Sequence, residues 1–263
     1  MRKKKDKEEP KFELAFKTAA QLMEERKNLK KIPTCTPIDN LIGGGIEEGE
    51  LIEVSGEYGA GKSQFCHTLI CTIIVQSANE PVVWLDTEGT FKPERLAEIA
   101  EKRGLNVEEA LNRVHVLQPL STAAQMEALK KIAEIKPKLI IVDSLITLYR
   151  EEYIGRENLP ERQGLLRTFI ASLKRYVREN NCVAVATNQV IGNPEVLPFM
   201  TYEQRVLVCG GHTVYHSIDA RIQIRKAKEN KRVARLIDSS RYPTSEVRFR
   251  ITEKGVEPLE EDG

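Results

Sequence analysis

Short apolar runs alternate with longer helical stretches along most of this chain. The run at residues 51–54 precedes an apolar stretch at 64–75 whose length favours a helix. Further short runs of β-forming residues follow at 82–85, 114–117, 139–142 and 183–187. None alternates strictly between polar and apolar side chains, which is typical of strands buried on both faces of a parallel sheet. The pattern predicts an α/β fold with a mostly parallel central sheet flanked by helices.

The two ends of the chain have different patterns. Residues 221–225, 232–237 and 247–251 alternate polar with apolar side chains, so we predict half-exposed, antiparallel C-terminal strands that extend the sheet. Residues 1–11 are rich in charge and are expected to fray, whereas residues 12–31 favour a helix that ends before a proline.

These patterns predict two regions. The first is an N-terminal extension with a linker helix, residues 1–31, and the second is an α/β core, residues 32–263.

Composition narrows the class of protein. A chain of 263 residues with 41% hydrophobic composition can bury one large core. Its net charge of +1 does not by itself indicate nucleic acid as a partner. The five cysteines show no metal-binding spacing, and the longest apolar run is too short to span a bilayer. We therefore expect a cytoplasmic protein with reduced thiols and no membrane partner.

A glycine-rich turn carries the clearest chemistry. Residues 56–63 fit the pattern G-x-x-x-x-G-K-[ST] and lie between a predicted strand and a predicted helix, as this phosphate-binding motif requires. Lys62 reaches the terminal phosphates in such loops, and Ser63 offers a hydroxyl to Mg²⁺. The predicted nucleotide-binding residues of the loop are Gly56, Glu57, Tyr58, Gly59, Ala60, Gly61, Lys62, Ser63 and Gln64.

Polar residues follow three of the predicted strands. Asp143 ends one apolar run, which would place its carboxylate beside the Mg²⁺ bound through Ser63. Glu88 follows a second run and is our candidate for polarising the attacking water, at the sheet edge where α/β proteins bind ligands. Gln189 follows a third run and could sense the terminal phosphate. For Glu88 and Gln189, helix capping or loop solvation is the alternative.

Several segments together resemble the ATPase core of RadA-type recombinases, within the RecA superfamily. The resemblance covers residues 16–256 and implies a RecA-like P-loop ATPase fold with ATP and Mg²⁺ as cofactors. The segments are GEYGAGKSQ at residues 56–64, LDTEGTFKPERL at 85–96, TNQV at 187–190, and shorter matches at 148–163, 210–216 and 237–243. Full recombinases of this type carry a small helical DNA-binding domain for which we expect no room before Phe12, so we expect a paralogue that resembles the archaeal RadA paralogues of the RadB and RadC kind.

The resemblance implies a role for each matching residue. Lys62, Glu88, Asp143 and Gln189 would be catalytic, with Ser63 and Asp143 at the metal. The other implied positions are Arg95 near the adenine, His216 with Gln189 in coupling nucleotide state to DNA, and Asp238 with Pro243 in a cap over the ATP of an adjacent subunit.

Two segments match the family's DNA-binding loops, residues 150–163 and 191–209. The second loop departs from the family pattern because it is punctuated by proline and poor in cations. Cations and aromatic rings of the kind present here bind single strands, although an ion-paired surface is the alternative for each arginine. The candidate DNA-binding residues are Arg150, Tyr153, Arg156, Arg162 and Arg205.

Self-association is the last implied property. The family joins its subunits through a Phe-x-x-Ala peptide that adds a strand to the neighbour, and Phe16 with Ala19 fits this pattern. Residues 12–15 fit this pattern too. An alternative that the sequence leaves equally open is an amphipathic helix that packs Phe16 on its own core.

We therefore expect a DNA-dependent ATPase of the RadA-paralogue type that binds single-stranded DNA and modulates homologous recombination and repair. Its expected partners are the main RadA-type recombinase or other paralogues, together with a homo-oligomer through Phe16. The alternatives are a KaiC-like regulatory ATPase and a nucleotide-gated recombinase adaptor without DNA-directed activity.

Overall fold

The computed structural model describes residues 16–77, 79–193, 202–211 and 217–259. His216 and the Phe-x-x-Ala match at residues 12–15 therefore lie outside the described residues. The chain divides into two compact units, Met1–Lys30 and Lys31–Gly263.

The described part of the first unit contains one helix, α1 (Ala19–Arg26). Thr18 begins it through a capping box with Gln21, in which each side chain bonds to the other residue's backbone N–H. Within the described residues, the helix predicted over residues 12–31 is longer than the observed one. The observed helix begins after the cap at Thr18 and ends at Arg26, where a turn follows.

The second unit alternates strands and helices in sequence. Its helices are α2 (Lys62–Gln76), α3 (Pro93–Lys102), α4 (Val107–Asn112), α5 (Thr122–Ile135), α6 (Thr147–Glu152), α7 (Leu159–Glu179) and α8 (Tyr202–Arg205), with a 3-10 helix at Pro37–Leu41. Its strands are β1 (Lys31–Ile32), β2 (Ile46–Glu47), β3 (Leu51–Gly56), β4 (Val82–Asp86), β5 (Val114–Leu117), β6 (Leu139–Asp143), β7 (Val183–Gly192), β8 (Val206–Val208), β9 (Ala220–Lys226), β10 (Lys231–Ser239), β11 (Ser245–Thr252) and β12 (Gly255–Pro258).

One large sheet has the strand order β12-β11-β10-β9-β3-β7-β6-β4-β5, with β8 paired to β7 outside this order. The strands from β9 to β5 run parallel, and β9 to β12 form successive antiparallel pairs. Apolar clusters cover both faces of the central strands. The prediction of a mostly parallel α/β sheet with antiparallel C-terminal strands is confirmed.

Two strands differ from the sequence prediction in their burial. The run at residues 114–117 is not buried on both faces: β5 ends the strand order, and Val116 is 40% exposed. The residues 221–224 of β9 are buried rather than half-exposed, and β9 pairs in parallel with β3. The alternating pattern misled here because the charged side chain of Arg221 is buried in an ion pair with Glu53.

The carboxyl ends of β3, β4, β6 and β7 meet at one edge of the sheet, since these strands are parallel neighbours. This is the edge at which open α/β sheets bind ligands. Among the described residues, no helix combines the length and hydropathy needed to cross a membrane.

Candidate functional site

The glycine-rich loop turns the chain from β3 into α2. Gly59 has a φ of 70° and Gly61 a φ of 111°, a left-handed backbone that glycine adopts without strain. A Cβ at Gly61 would also lie 2.6 Å from Ile251 Cδ1, so a side chain there would require the end of the Ile251 side chain to shift. The first turn of α2 carries backbone N–H groups without intrahelical acceptors, an arrangement that binds phosphate.

Lys62 is held inside this loop. Its Nζ donates hydrogen bonds to the carbonyl oxygens of Gly56, at 2.9 Å, and Glu57, at 3.0 Å. Burial lowers the pKa of Lys62, and the nearby carboxylates of Asp143 and Glu88 partly oppose this effect. The loop therefore places an ammonium group beside two carboxylates, where a phosphate chain would be an additional partner.

Ser63 and Asp143 face each other across the ends of α2 and β6. Ser63 Oγ donates to Asp143 Oδ2 at 2.9 Å, and Thr187 Oγ1 donates to Asp143 Oδ1. Burial raises the pKa of Asp143, while the hydrogen bonds from Thr187 and Ser63 lower it. A hydroxyl beside a carboxylate supplies the oxygen ligands that Mg²⁺ prefers, so this pair fits the expected metal position.

Glu88 and Gln189 are brought into contact from the ends of β4 and β7. Gln189 Nε2 donates to Glu88 Oε1 at 3.0 Å. The same oxygen accepts a hydrogen bond from Thr147 Oγ1 at 2.8 Å. Among the described residues, both of these donors approach Oε1, so Glu88 Oε2 is open to orient a water molecule.

These groups line one cavity of about 490 Å³. Lys62 and Ser63 lie on its loop side, and Glu88, Asp143 and Gln189 come from the strand ends. The cavity thus joins a cationic loop to a carboxylate wall, a combination suited to a nucleotide phosphate chain with a divalent cation.

Arg95 and Gln64 form another part of the cavity wall. Arg95 Nε donates to Gln64 Oε1 at 2.8 Å, and its Nη2 donates to the carbonyl of Thr252 at 2.6 Å. The guanidinium is therefore fixed in place against β11. Tyr58, at the outer side of the loop, is 92% exposed.

Asp238 and Pro243 are not among the residues lining this cavity. Asp238 lies on β10, which β9 separates from β3. The turn that carries Pro243 is held by Arg241, whose Nη1 donates to Glu47 at 2.6 Å and to Glu50 at 3.1 Å. The structure therefore does not bring these two residues to the cavity formed by Lys62, Ser63 and the strand ends of their own chain.

Four of the five candidate DNA-binding residues lie on α6, in the turn after it or at the start of α7, and the fifth, Arg205, ends α8. Arg162 Nη1 donates to the carbonyl of Tyr153 at 3.4 Å, and Arg150 Nη1 donates to Cys209 Sγ at 3.5 Å. Arg156 is exposed in the turn between the two helices. The carbonyl of Arg205 accepts a hydrogen bond from the N–H of Asn193 at 2.8 Å, which closes the base of the second loop.

A groove of about 720 Å³ lies beside these residues. Arg162 from α7, Leu207 and Cys209 from the β8 region, and Arg221 and Arg235 from β9 and β10 line it. The described residues of the second loop thus line part of a groove that carries both apolar and cationic side chains.

Sequence reasoning missed several side chains that hold the site together. Thr147 and Thr187 position the two carboxylates described above. Arg232 Nε donates to the carbonyl of Ala60 at 3.0 Å, and Tyr202 OH donates to Glu57 Oε1 at 3.0 Å. Only Thr187 lies in a segment quoted in the sequence analysis, residues 187–190. No local pattern marks the other three, because each reaches the site from a different helix or strand.

The chain matches the protein-family model described as Rad51 over residues 25–259. The matched range contains all the strands of the large sheet and the residues of the cavity named above. It begins after Phe16 and Ala19.

Proposed function

Because the chain belongs to the Rad51 family, we propose that it is a DNA-dependent ATPase of the RadA-paralogue type that binds single-stranded DNA. Family membership makes it a RecA-like P-loop ATPase of recombination and repair in the broad sense. The dependence on DNA, the paralogue type and the residue roles are the proposal. The observation that carries the ATPase activity in this proposal is the meeting of Lys62, the Ser63–Asp143 pair and the Glu88–Gln189 pair in one cavity.

The residues divide the chemistry of ATP hydrolysis among them. Lys62 would bind the terminal phosphates, Ser63 and Asp143 would hold Mg²⁺, and Glu88 would orient the attacking water. Mg²⁺, when bound, neutralises charge on the phosphate oxygens. The amide of Gln189 donates a hydrogen bond to Glu88 Oε1 and so orients the carboxylate that would accept a proton from water. Catalysis would come mainly from positioning and electrostatic stabilisation.

We further propose that Asp238 and Pro243 cover the ATP of an adjacent subunit. Their position outside their own cavity supports a role between subunits. Phe16 is fully exposed, at 105% of its reference area, which suits a peptide anchor for a neighbour. Within the second unit, β5 ends the strand order and offers a strand edge of the kind that accepts an added strand.

The Phe16→Ala variant is expected to shift self-association toward the monomer, because the aromatic anchor of the added strand is lost. Sedimentation velocity over a range of protein concentrations measures this shift. Met23→Ala is the matched control, since Met23 is an exposed apolar residue of α1, at 66%, outside the Phe-x-x-Ala pattern. A Phe16→Ala variant that assembles like the wild type, or a wild type that is monomeric throughout, would contradict the proposed role of this peptide.

Binding to a labelled single-stranded oligonucleotide, measured by fluorescence anisotropy, is expected to strengthen with Mg²⁺-ATP. Arg156→Ala should weaken it and reduce the salt slope of log K by about 0.7, the value for one lost phosphate contact on a single strand. Arg175→Ala is the control, because Arg175 is exposed on α7 outside the matched loop.

The same titration separates the proposal from the alternatives. Absence of DNA binding with and without nucleotide would reject the DNA-dependent function. It would favour an ATPase directed at a protein partner, as in a KaiC-like regulator or a recombinase adaptor.

A further inference from the structure

A chain of buried polar side chains leads from Glu88 into the middle of the sheet. Gln189, which bonds to Glu88, donates its backbone N–H to Asn188 Oδ1 at 2.8 Å. Asn188 Nδ2 donates to Glu53 Oε1 at 2.6 Å, and Arg221 Nε donates to Glu53 Oε2 at 2.5 Å. Glu53 and Asn188 are 0% exposed and Arg221 is 1% exposed. Asn188 therefore links the hydrolysis site to a fully buried ion pair.

The strand register explains why these side chains meet. Arg221 on β9 is the direct partner of Glu53 on β3, and Asn188 on β7 is the partner of Ser55, two residues further along β3. Residues two apart on a strand share one face of the sheet, so all three side chains project to the same side.

Burying a charged pair is costly, and such a pair is weak evidence for stability. In this protein the Glu53–Arg221 pair affects the orientation of the Asn188 side chain. The Asn188 amide nitrogen also donates to the carbonyl of Cys209 at 2.7 Å, so it faces two acceptors, Glu53 and Cys209. Rotating the amide by half a turn would place its oxygen against both acceptors, which is unfavourable. The amide oxygen must therefore face the N–H of Gln189.

The orientation of the Asn188 amide matters for catalysis because it fixes the backbone of Gln189, which is the last residue of β7 that pairs with β3. Asn188 holds the N–H of Gln189, and the carbonyl of Gln189 accepts a hydrogen bond from Cys209 N–H at 3.0 Å. The backbone that carries the Gln189 side chain is thus fixed on both sides. We propose that Asn188 and the Glu53–Arg221 ion pair are positioning residues for ATP hydrolysis, which act by holding Gln189 against Glu88. This inference rests on the proposed ATPase function of the cavity.

The test is a double-mutant cycle on steady-state ATP hydrolysis. Asn188→Ala is expected to lower kcat about tenfold or more while leaving KM and the affinity for a fluorescent ATP analogue unchanged, because the phosphate loop is not altered. In a Gln189→Ala background the same change should have no further effect on kcat, since it acts through Gln189. Ser55→Ala is the matched control: Ser55 is the buried register partner of Asn188, and its hydroxyl lies outside the chain of contacts, 3.4 Å from the carbonyl of Ile222.

Three results would overturn the inference. They are wild-type kcat in Asn188→Ala, equal losses in the wild-type and Gln189→Ala backgrounds, and a similar loss in Ser55→Ala. A wild-type protein that binds ATP but shows no turnover would instead overturn the proposed function, and the inference with it.

A second variant covers the case in which Asn188→Ala does not fold. The double variant Glu53→Leu/Arg221→Met replaces the whole ion pair with apolar side chains, so no buried charge is left unpaired. It is expected to fold, as circular dichroism would show, and to lower kcat with KM unchanged, because the Asn188 amide nitrogen loses its acceptor Glu53. Wild-type kcat in the folded double variant would overturn the inference.

Discussion

Replacing Lys62 with alanine is expected to abolish measurable ATP turnover, with a loss of about a hundredfold or more. The ammonium group is the cation that the loop places beside the expected phosphates, and its own bonds to the carbonyls of Gly56 and Glu57 hold the loop closed. Both effects are lost together in Lys62→Ala. Binding of a fluorescent ATP analogue and steady-state phosphate release measure the two consequences.

Lys228→Ala is the control for this variant, since Lys228 is exposed in the β9–β10 turn and is not among the residues lining the cavity. Alanine is a strong helix former, so the start of α2 should remain folded, which circular dichroism checks. Unchanged turnover in Lys62→Ala would reject the assignment of the nucleotide site.

Glu88→Gln is expected to bind ATP as the wild type does and to hydrolyse it about 10²- to 10⁴-fold more slowly. Glutamine keeps the shape of the side chain, and its amide oxygen can still accept the hydrogen bonds from Thr147 and Gln189. What the variant loses is the negative charge and the basic oxygen that would activate water. Single-turnover hydrolysis alongside equilibrium binding separates chemistry from affinity.

Glu94→Gln provides a matched control, because Glu94 is an exposed glutamate on α3 that does not line the cavity. Wild-type turnover in Glu88→Gln would remove Glu88 from the role of water activation. A loss of ATP affinity equal to the loss of turnover would assign it to nucleotide binding instead.

The assembly proposals depend on residues that the nucleotide cavity does not include. Asp238 and Pro243 do not line the cavity of their own chain, so the cap role proposed for them would need a second copy. If Phe16 and the exposed edge of β5 join neighbouring subunits, the complete site forms only on assembly. The rate of ATP turnover per subunit would then rise with protein concentration.

Local sequence patterns were sufficient where one segment forms both an element and its function. The loop at residues 56–63 has its glycines, its lysine and its serine within one strand-turn-helix unit, so spacing alone predicted it. The same holds for the apolar runs of β3, β6 and β7, whose lack of alternation is explained by burial on both faces. Alternation failed for β9, because a charged residue can be buried when a partner neutralises it.

The sequence by itself determined a phosphate loop, a set of strands that end in polar residues, and an α/β architecture. The tertiary structure decided which of those polar residues meet. Ser63 and Asp143 are 80 residues apart, Glu88 and Gln189 are 101 apart, and Glu53 and Arg221 are 168 apart. These contacts depend on the order in which the strands assemble into the sheet. Periodicity describes only the burial of each strand along its own length and contains no information on its neighbours.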